Sequence, residues 1–342
     1  MKNQTQQPAV GSVEGKQMAR RWRILGWAAV VLAAAGCHTD RHPERYQNAW
    51  SLPVAEGTLV RVDLRSHDVH VRVAAGESVE IRSELEIRAG SPRAAWAWIA
   101  SNTPIIEESP VGVTIRLPDG DRRTRSSGFF RPRARMELEL PPGCTADITT
   151  SSGDITVQGQ ETLHNPLRIR TTSGDLLVRG GVGELIFRSS SGDARIDGPT
   201  LAALEAQTSS GNIRVLGGAA RVLADTRSGD LRLAGLTGAA SLSTSSGEVR
   251  ARWISFPMNE RIKARTASGN VELSLPEGPW RGHAVTRSGA LQSSFQGNPG
   301  PRRKRTLVLS STEPGAELEV TTTSGNIRLL RHRPSTGKNP DS

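Results

Sequence analysis

Thr150-Ser151-Ser152-Gly153-Asp154-Ile155-Thr156-Val157 opens the series that decides the fold. Its kernel, Ser-Gly followed by a usually polar residue, occurs at Gly153, Gly174, Gly192, Gly211, Gly229, Gly247, Gly269, Gly289 and Gly325. Successive gaps are 21, 18, 19, 18, 18, 22 and 20 residues; the last, 36, is twice 18 and leaves room for one coil whose turn has lost the motif. Self-similarity at this period is the signature of a solenoid, in which each repeat buries its apolar face only against its neighbours.

Aligned on the glycine, the positions seven and five before it and two and four after it are apolar or small, as in Leu167, Ile169, Leu176 and Val178, or Val222, Ala224, Leu231 and Leu233. A spacing of two places side chains on one face of a strand. The residues between are mostly Arg, Asp, Glu, Gln, Ser and Thr, the composition of a face in water. Each coil reads as strand, Ser-Gly-Asp turn, strand, second turn. The prediction is an all-β, single-chain β-solenoid, of parallel β-helix or β-roll type, with about nine to ten coils of 18–22 residues.

Three residues before each glycine stands a hydroxyl: Thr150, Thr171, Ser189, Thr208, Thr226, Thr244, Thr266, Thr286 or Thr322. By parity it points inward, and stacking would make a ladder donating to the next rung and to turn backbone. The glycine is assigned here to a corner of positive φ, and the following Asp or Asn to the same tight turn.

The stretch 54–140 is read as an N-terminal cap, with alternating runs at Leu59–Val73, Val79–Ile87, Val111–Leu117 and Met136–Leu140 and a short helix at about Pro92–Asn102. Within it, Ser66-His67-Asp68-Val69-His70-Val71 imitates the repeat turn with His67 in the glycine place, a diverged coil. The repeat solenoid is assigned to 141–331, and 332–342 to a polar, disordered tail.

Residues 1–36 have the grammar of an export signal: Arg20-Arg21-Trp22-Arg23, an apolar run from Ile24 to Ala35, then Gly36-Cys37. The run is short for a membrane-spanning helix. Met18 lies better placed relative to the basic group than Met1, an alternative start that removes residues 1–17. Ala34-Ala35-Gly36-Cys37 resembles a bacterial lipobox, which implies lipidation of Cys37 and a linker over 37–53; simple secretion or an uncleaved anchor is the alternative. Of the net charge of +10, the signal carries Lys2, Lys16, Arg20, Arg21 and Arg23 less Glu14, leaving +6 on the mature chain. With Cys37 lipidated, Cys144 has no disulfide partner, and no His lies near it in sequence to make it a catalytic thiol.

The repeats Thr150 to Val157 and Thr208 to Val215, the degenerate coil near Asp68 and the lead-in Leu138 to Pro142 together resemble a bacterial adhesin-like β-solenoid family, a candidate adhesin domain of unknown function. The resemblance covers about residues 54–331. It implies an exported or membrane-anchored envelope protein and transfers no active-site residues.

Three positions after the glycine, pointing outward, four consecutive coils carry Arg195, Arg214, Arg232 and Arg250. Arg168, Arg170, Arg188, Lys263, Arg265 and Arg287 add to the basic surface. A file of guanidinium groups grips phosphate or carboxylate in two-pronged fashion, which suits a polyanionic glycan or lipid headgroup. In the alternative, Asp193 and Asp230 neutralise a solvated face. The turn acids Asp154, Asp175, Asp193, Asp230 and Glu248 suggest a calcium roll, but Asn212, Asn270 and Ala290 interrupt the set, so no metal and no cofactor is assigned. Two basic stretches, Arg122–Arg135 with Phe129-Phe130 and Arg302–Arg305, are candidates for contact with an anionic membrane. Trp253 and Trp280 are candidates for stacking a sugar or for packing.

The expected function is a non-enzymatic, lipid-anchored envelope protein, on the periplasmic or cell-surface side, whose coil faces act as an adhesin-like or scaffolding surface. Its partners are the membrane, through the anchor, and an anionic envelope polymer; no protein partner and no specific nucleic acid is indicated. The alternatives are a regulatory or stress-responsive envelope protein with one membrane partner, and an enzyme on acidic polysaccharide using Asp193, Asp225 and Asp230.

Overall fold

The computed structural model describes residues 44–119, 132–299 and 305–332. The strand before each Ser-Gly turn joins a 14-stranded sheet and the strand after it a 13-stranded sheet, so every turn bridges the two. Neighbouring coils pair in parallel with equivalent positions in register: Thr208, Thr226, Thr244, Thr266, Thr322 and Thr286 form one row. That register is the one in which every inward Leu, Ile, Val or Ala meets its counterpart, and those side chains form a continuous core between the sheets. Full burial of one such aliphatic side chain is worth roughly 1.5–3 kcal/mol. Phe187, opposite Ile169 and Ala206, and Trp253, opposite Leu236, are the largest wholly buried residues.

Polar chemistry completes each turn. The Thr or Ser hydroxyl accepts the N–H of the turn glycine three residues on, at 2.9 Å in Thr171 and 2.7 Å in Ser189. The threonine hydroxyls of later coils then donate to the glycine carbonyl of the coil below: Thr226 to Gly211 and Thr244 to Gly229, both 3.0 Å. The hydroxyls are therefore satisfied by backbone and not by one another. A second ladder runs outside it. The side-chain oxygen of each Asp or Asn accepts the backbone N–H of the equivalent residue in the next coil, from Asp154 to Asp175, Asp175 to Asp193, Asp193 to Asn212, Asn212 to Asp230 and Asp230 to Glu248, at 2.7–2.9 Å.

The repeat glycines are not there for positive φ, which corrects the expectation for Gly153, Gly174, Gly192, Gly211, Gly229, Gly247, Gly269, Gly289 and Gly325; the left-handed glycines include Gly57, Gly181, Gly218 and Gly235 instead. Gly181, Gly218 and Gly235 lie at the second corner of their coils. At the first corner the reason is close approach. A Cβ on Gly211 would run into the carbonyl of Gly192, and one on Gly229 into that of Gly211.

Both ends depart from chain order. At the N-terminal end, Leu59–Asp63 and Asp68–Val73 form the diverged coil; His67 lies in the glycine place under Gly153, and the Asp68 carboxylate accepts the Asp154 N–H. The chain then passes to Ser78–Ile87, and the space it skips is filled later by Arg133–Leu140, parallel to Asp68–Val73 and antiparallel to Ser78–Ile87. Residues 44–53, expected to be linker, are strand Glu44–Pro53, which pairs antiparallel with Ser78–Ile87 across its whole length. Helix α1 (Pro92–Asn102) is capped by the Ser91 hydroxyl and buries Ala95 and Ile99 against Leu85, Ile87 and Ala134.

At the C-terminal end the described residues of the 36-residue gap form no further coil. The gap holds the short strands Asn298–Pro299 and Arg305–Leu309, which pair antiparallel with one another, and Arg305–Leu309 also pairs antiparallel with Trp280–Thr286. The last coil, Ala316–Thr322 and Ile327–His332, then inserts between the Gly269 and Gly289 coils. The Gly289 coil, second to last in sequence, is thus the outermost of the nine. This position explains Ala290, which replaces the ladder's Asp or Asn: its own N–H is accepted by Asn326, and no further coil needs an acceptor from it.

Candidate polyanion-binding face

The register that aligns the core also aligns the outer surface. Arg195 lies opposite Arg214, Arg214 opposite Arg232 and Arg232 opposite Arg250, one guanidinium per coil at the strand spacing of about 4.8 Å. The next rungs of this file are Glu272, Arg328 and Gln292. Two residues further along each strand a second file runs through Leu216, Ala234, Arg252, Ser274 and Leu330. Between the files lies an open groove of about 480 Å³ lined by Arg214, Arg232, Arg250 and Arg252 against the single acid Glu272, with Leu216 and Leu330, 45% and 36% exposed, also in its lining.

Like charges stacked along a sheet repel unless acids lie among them. Here they do. Arg195 pairs with Asp197, Arg232 with Asp230 at 2.9 Å, and Arg250 with Glu248 at 2.9 Å. Asp193, foreseen as a neutralising acid, instead bonds the backbone and side-chain amides of Asn212. Arg214, in the middle of the file, makes no ion pair among the described residues. Exposed pairs of this kind are worth about 0–1 kcal/mol. They hold the guanidinium groups in place yet yield readily to an incoming anion that can engage several at once.

On the opposite sheet the foreseen cations are largely committed. Arg170 pairs with Asp147 and Arg188 with Glu205, both at 2.8 Å, while Lys263 and Arg265 share Glu319 with Arg261. Arg265 heads the charges that hold the Glu319 carboxyl below the usual carboxylate range. The concavity on this side, about 540 Å³, mixes Glu184, Glu205, Arg221 and Lys263 and so has no single sign.

The other sequence-derived candidates separate. Asp225 lies on strand Ala219–Thr226 of the 14-stranded sheet, away from the Arg file, while Asp230 holds Arg232 and the Glu248 N–H. Of the turn carboxylates that suggested calcium, Asp154, Asp175, Asp193 and Asp230 spend an oxygen on the backbone ladder and Glu248 pairs with Arg250. Trp253 and Trp280 are buried, their indole N–H groups donating to Gly238 and Pro276, so neither is presented for sugar stacking. Cys144 is a buried free thiol whose pKa burial pushes up. Cys37 and the signal, Phe129-Phe130 with most of its basic stretch, and residues 302–304 lie outside the described residues. Among the described residues no helix is long and apolar enough to cross a membrane.

One residue that the sequence marked only as a diverged turn has a distinct environment. His67 is wholly buried, its Nε2 3.0 Å from the Asn102 carbonyl at the end of α1 and its Nδ1 without a partner. Burial lowers its pKa from the usual histidine value. A histidine standing where every other coil has glycine was the available signal.

A family model described as Toastrack DUF4097 matches residues 60–215 and again 181–330. Among solved structures, the chain is similar to a candidate adhesin from Bacteroides fragilis (10% identity, 83% of this chain and 97% of that one, TM-score 0.40) and to one from Parabacteroides distasonis (9%, 83% and 97%, TM-score 0.29). It is similar also to a candidate cell adhesion protein from Clostridium sporogenes (10%, 85% and 100%, TM-score 0.22). No curated protein matches the chain.

Proposed function

The chain belongs to the Toastrack DUF4097 family, and on that premise we propose that it is a non-enzymatic protein of the bacterial envelope whose repeat face binds linear polyanions, as an adhesin-like or scaffolding surface. The observation that supports this most is the row Arg195, Arg214, Arg232, Arg250, in register at one cation per coil beside an open groove. A linear polymer with an anionic group at each residue meets such a row many times. Each contact is weak, and the sum is strong because every later contact forms at high effective concentration. The exposed Leu216 and Leu330 in the groove lining give the non-polar faces of the same polymer a counterpart. Lipidation at Cys37 would set this face beside the envelope polymers it meets.

The test is co-sedimentation of the mature protein with isolated bacterial envelope and with acidic polysaccharide, wild type against a variant with Arg195, Arg214, Arg232 and Arg250 all changed to Glu. Binding that falls with salt and is lost in the variant supports the proposal. Equal binding by both proteins overturns it, and stoichiometric, salt-resistant capture of one membrane protein favours the regulatory alternative.

A further inference from the structure

The insertion of the last coil is written in charge. On the 14-stranded sheet Glu317 lies opposite Arg261 on one side and Arg281 on the other, and Glu319 opposite Lys263 and His283. Glu319, its side chain only 12% exposed, is within ion-pair distance of Arg261, Lys263 and Arg265, and Arg261 also reaches Glu317 at 3.2 Å. On the 13-stranded sheet the signs reverse: Arg328 pairs with Glu272 at 3.3 Å and Arg331 with Glu277 at 3.1 Å. Suppose instead that the chain stacked in order, with the Gly289 coil directly on the Gly269 coil. Arg281 would then face Arg261, and like charges directly opposite are destabilising. The two coils that are neighbours in sequence repel, and the segment made last carries the signs that join them.

Everything else that holds this segment is the common repeat chemistry. Thr322 donates to the Gly269 carbonyl, Thr286 to the Gly325 carbonyl, the Asn270 side chain accepts the Asn326 N–H, and Ala316, Leu318, Val320, Ile327 and Leu329 are buried. None of these contacts requires the segment to come from the same chain. On its N-terminal side it is joined to strand Arg305–Leu309 through the exposed stretch Thr312–Pro314.

We infer that the gap between the Gly269 and Gly289 coils is a charge-coded receptor for a strand-turn-strand segment, and that residues Ala316–His332 of a second copy of this chain occupy it, linking molecules by exchange of their last coil. The exchanged segment brings Arg328 and Leu330 to the end of the polyanion face, while Arg195, Arg214, Arg232 and Arg250 stay with the body.

Full-length chains, one set isotopically heavy and one light, each with a protease site placed at Thr312–Pro314, are mixed, partly unfolded, refolded together, cleaved and weighed by native mass spectrometry. Hybrids of a heavy body with a light last coil are the expected result, preceded by a dimer before cleavage. Only like-with-like products would sink the inference. A second arm reads the code. Segments carrying Glu317→Arg and Glu319→Arg should enter wild-type bodies about tenfold less often, and should re-enter bodies carrying Arg261→Glu, Lys263→Glu and Arg265→Glu. Equal uptake of reversed and native segments by wild-type bodies would overturn the charge code.

Discussion

From the Gly153 coil to the Gly269 coil the chain stacks in the order in which it is written, whereas at both ends it leaves a space and returns to fill it. The same rungs are used throughout: a hydroxyl on the glycine amide, an Asx oxygen on the next amide, aliphatic side chains between two sheets. The difference teaches that rung chemistry specifies that coils stack, not which coil stacks on which. In the middle, short second turns decide the neighbour. At the C-terminal end, charges on the strand faces do.

The largest contrast should come from the turn glycines. Gly211→Ala drives a methyl into the Gly192 carbonyl with coils packed on both sides, and should cost about 3 kcal/mol or more in urea denaturation. Gly289→Ala meets the Gly325 carbonyl in the same way, but its coil is outermost and can shift, so its cost should be less than half. Equal losses would mean that the end is as rigid as the middle.

Next comes the one turn in which glycine is replaced. His67 has a lowered pKa when folded, so the unfolded chain binds its proton more readily. Its contribution to stability is complete above the ordinary histidine value of about 6.5 and falls as pH drops below it, by at most about 1.4 kcal/mol per pH unit. Denaturation at pH 7.5 and 5.5, wild type against His67→Gln, should show this extra acid sensitivity in wild type alone.

Smaller still is the Asx ladder. Asn212→Ala removes the acceptor of the Asp230 N–H and should cost about 1 kcal/mol. Ala290→Asn adds an acceptor where no coil follows and should leave the midpoint unchanged. Arg214→Ala should sit within about 0.5 kcal/mol of wild type in stability, while polyanion binding weakens measurably, which separates the face from the fold.

Much of this was legible from residue spacing. The inward positions are those that period two selects, and α1 falls at Pro92–Asn102 because Ser91 and Pro92 announce a helix start. The diverged coil at His67 was visible because Asp68-Val69-His70-Val71 keeps the motif's alternation. The Arg file was legible too, since equal offsets from a repeated glycine must align once coils stack. The rest was hidden for physical reasons. A gap of 36 residues looks like two periods whether it holds a coil or an antiparallel pair of strands. Glycine serves either a left-handed corner or a close backbone approach, and composition does not tell them apart. Asp230 was foreseen as a neutralising acid, but Asp197 and Glu248, which hold Arg195 and Arg250, were not, because their role depends on side-chain direction. Residues 44–53 carry no repeat, and only their partner, Ser78–Ile87, makes them a strand.

A stack whose coils all offered the same edge would have no natural length; each molecule would be a template for the next, and the product a fibre. Ala290 acts as a full stop. On the outermost coil its methyl group presents nothing for another amide to bond, and the short strands Asn298–Pro299 and Arg305–Leu309 lie across the adjoining edge of the other sheet. At this end, finite size rests on one side chain's missing oxygen and on the two strands that cover the neighbouring edge.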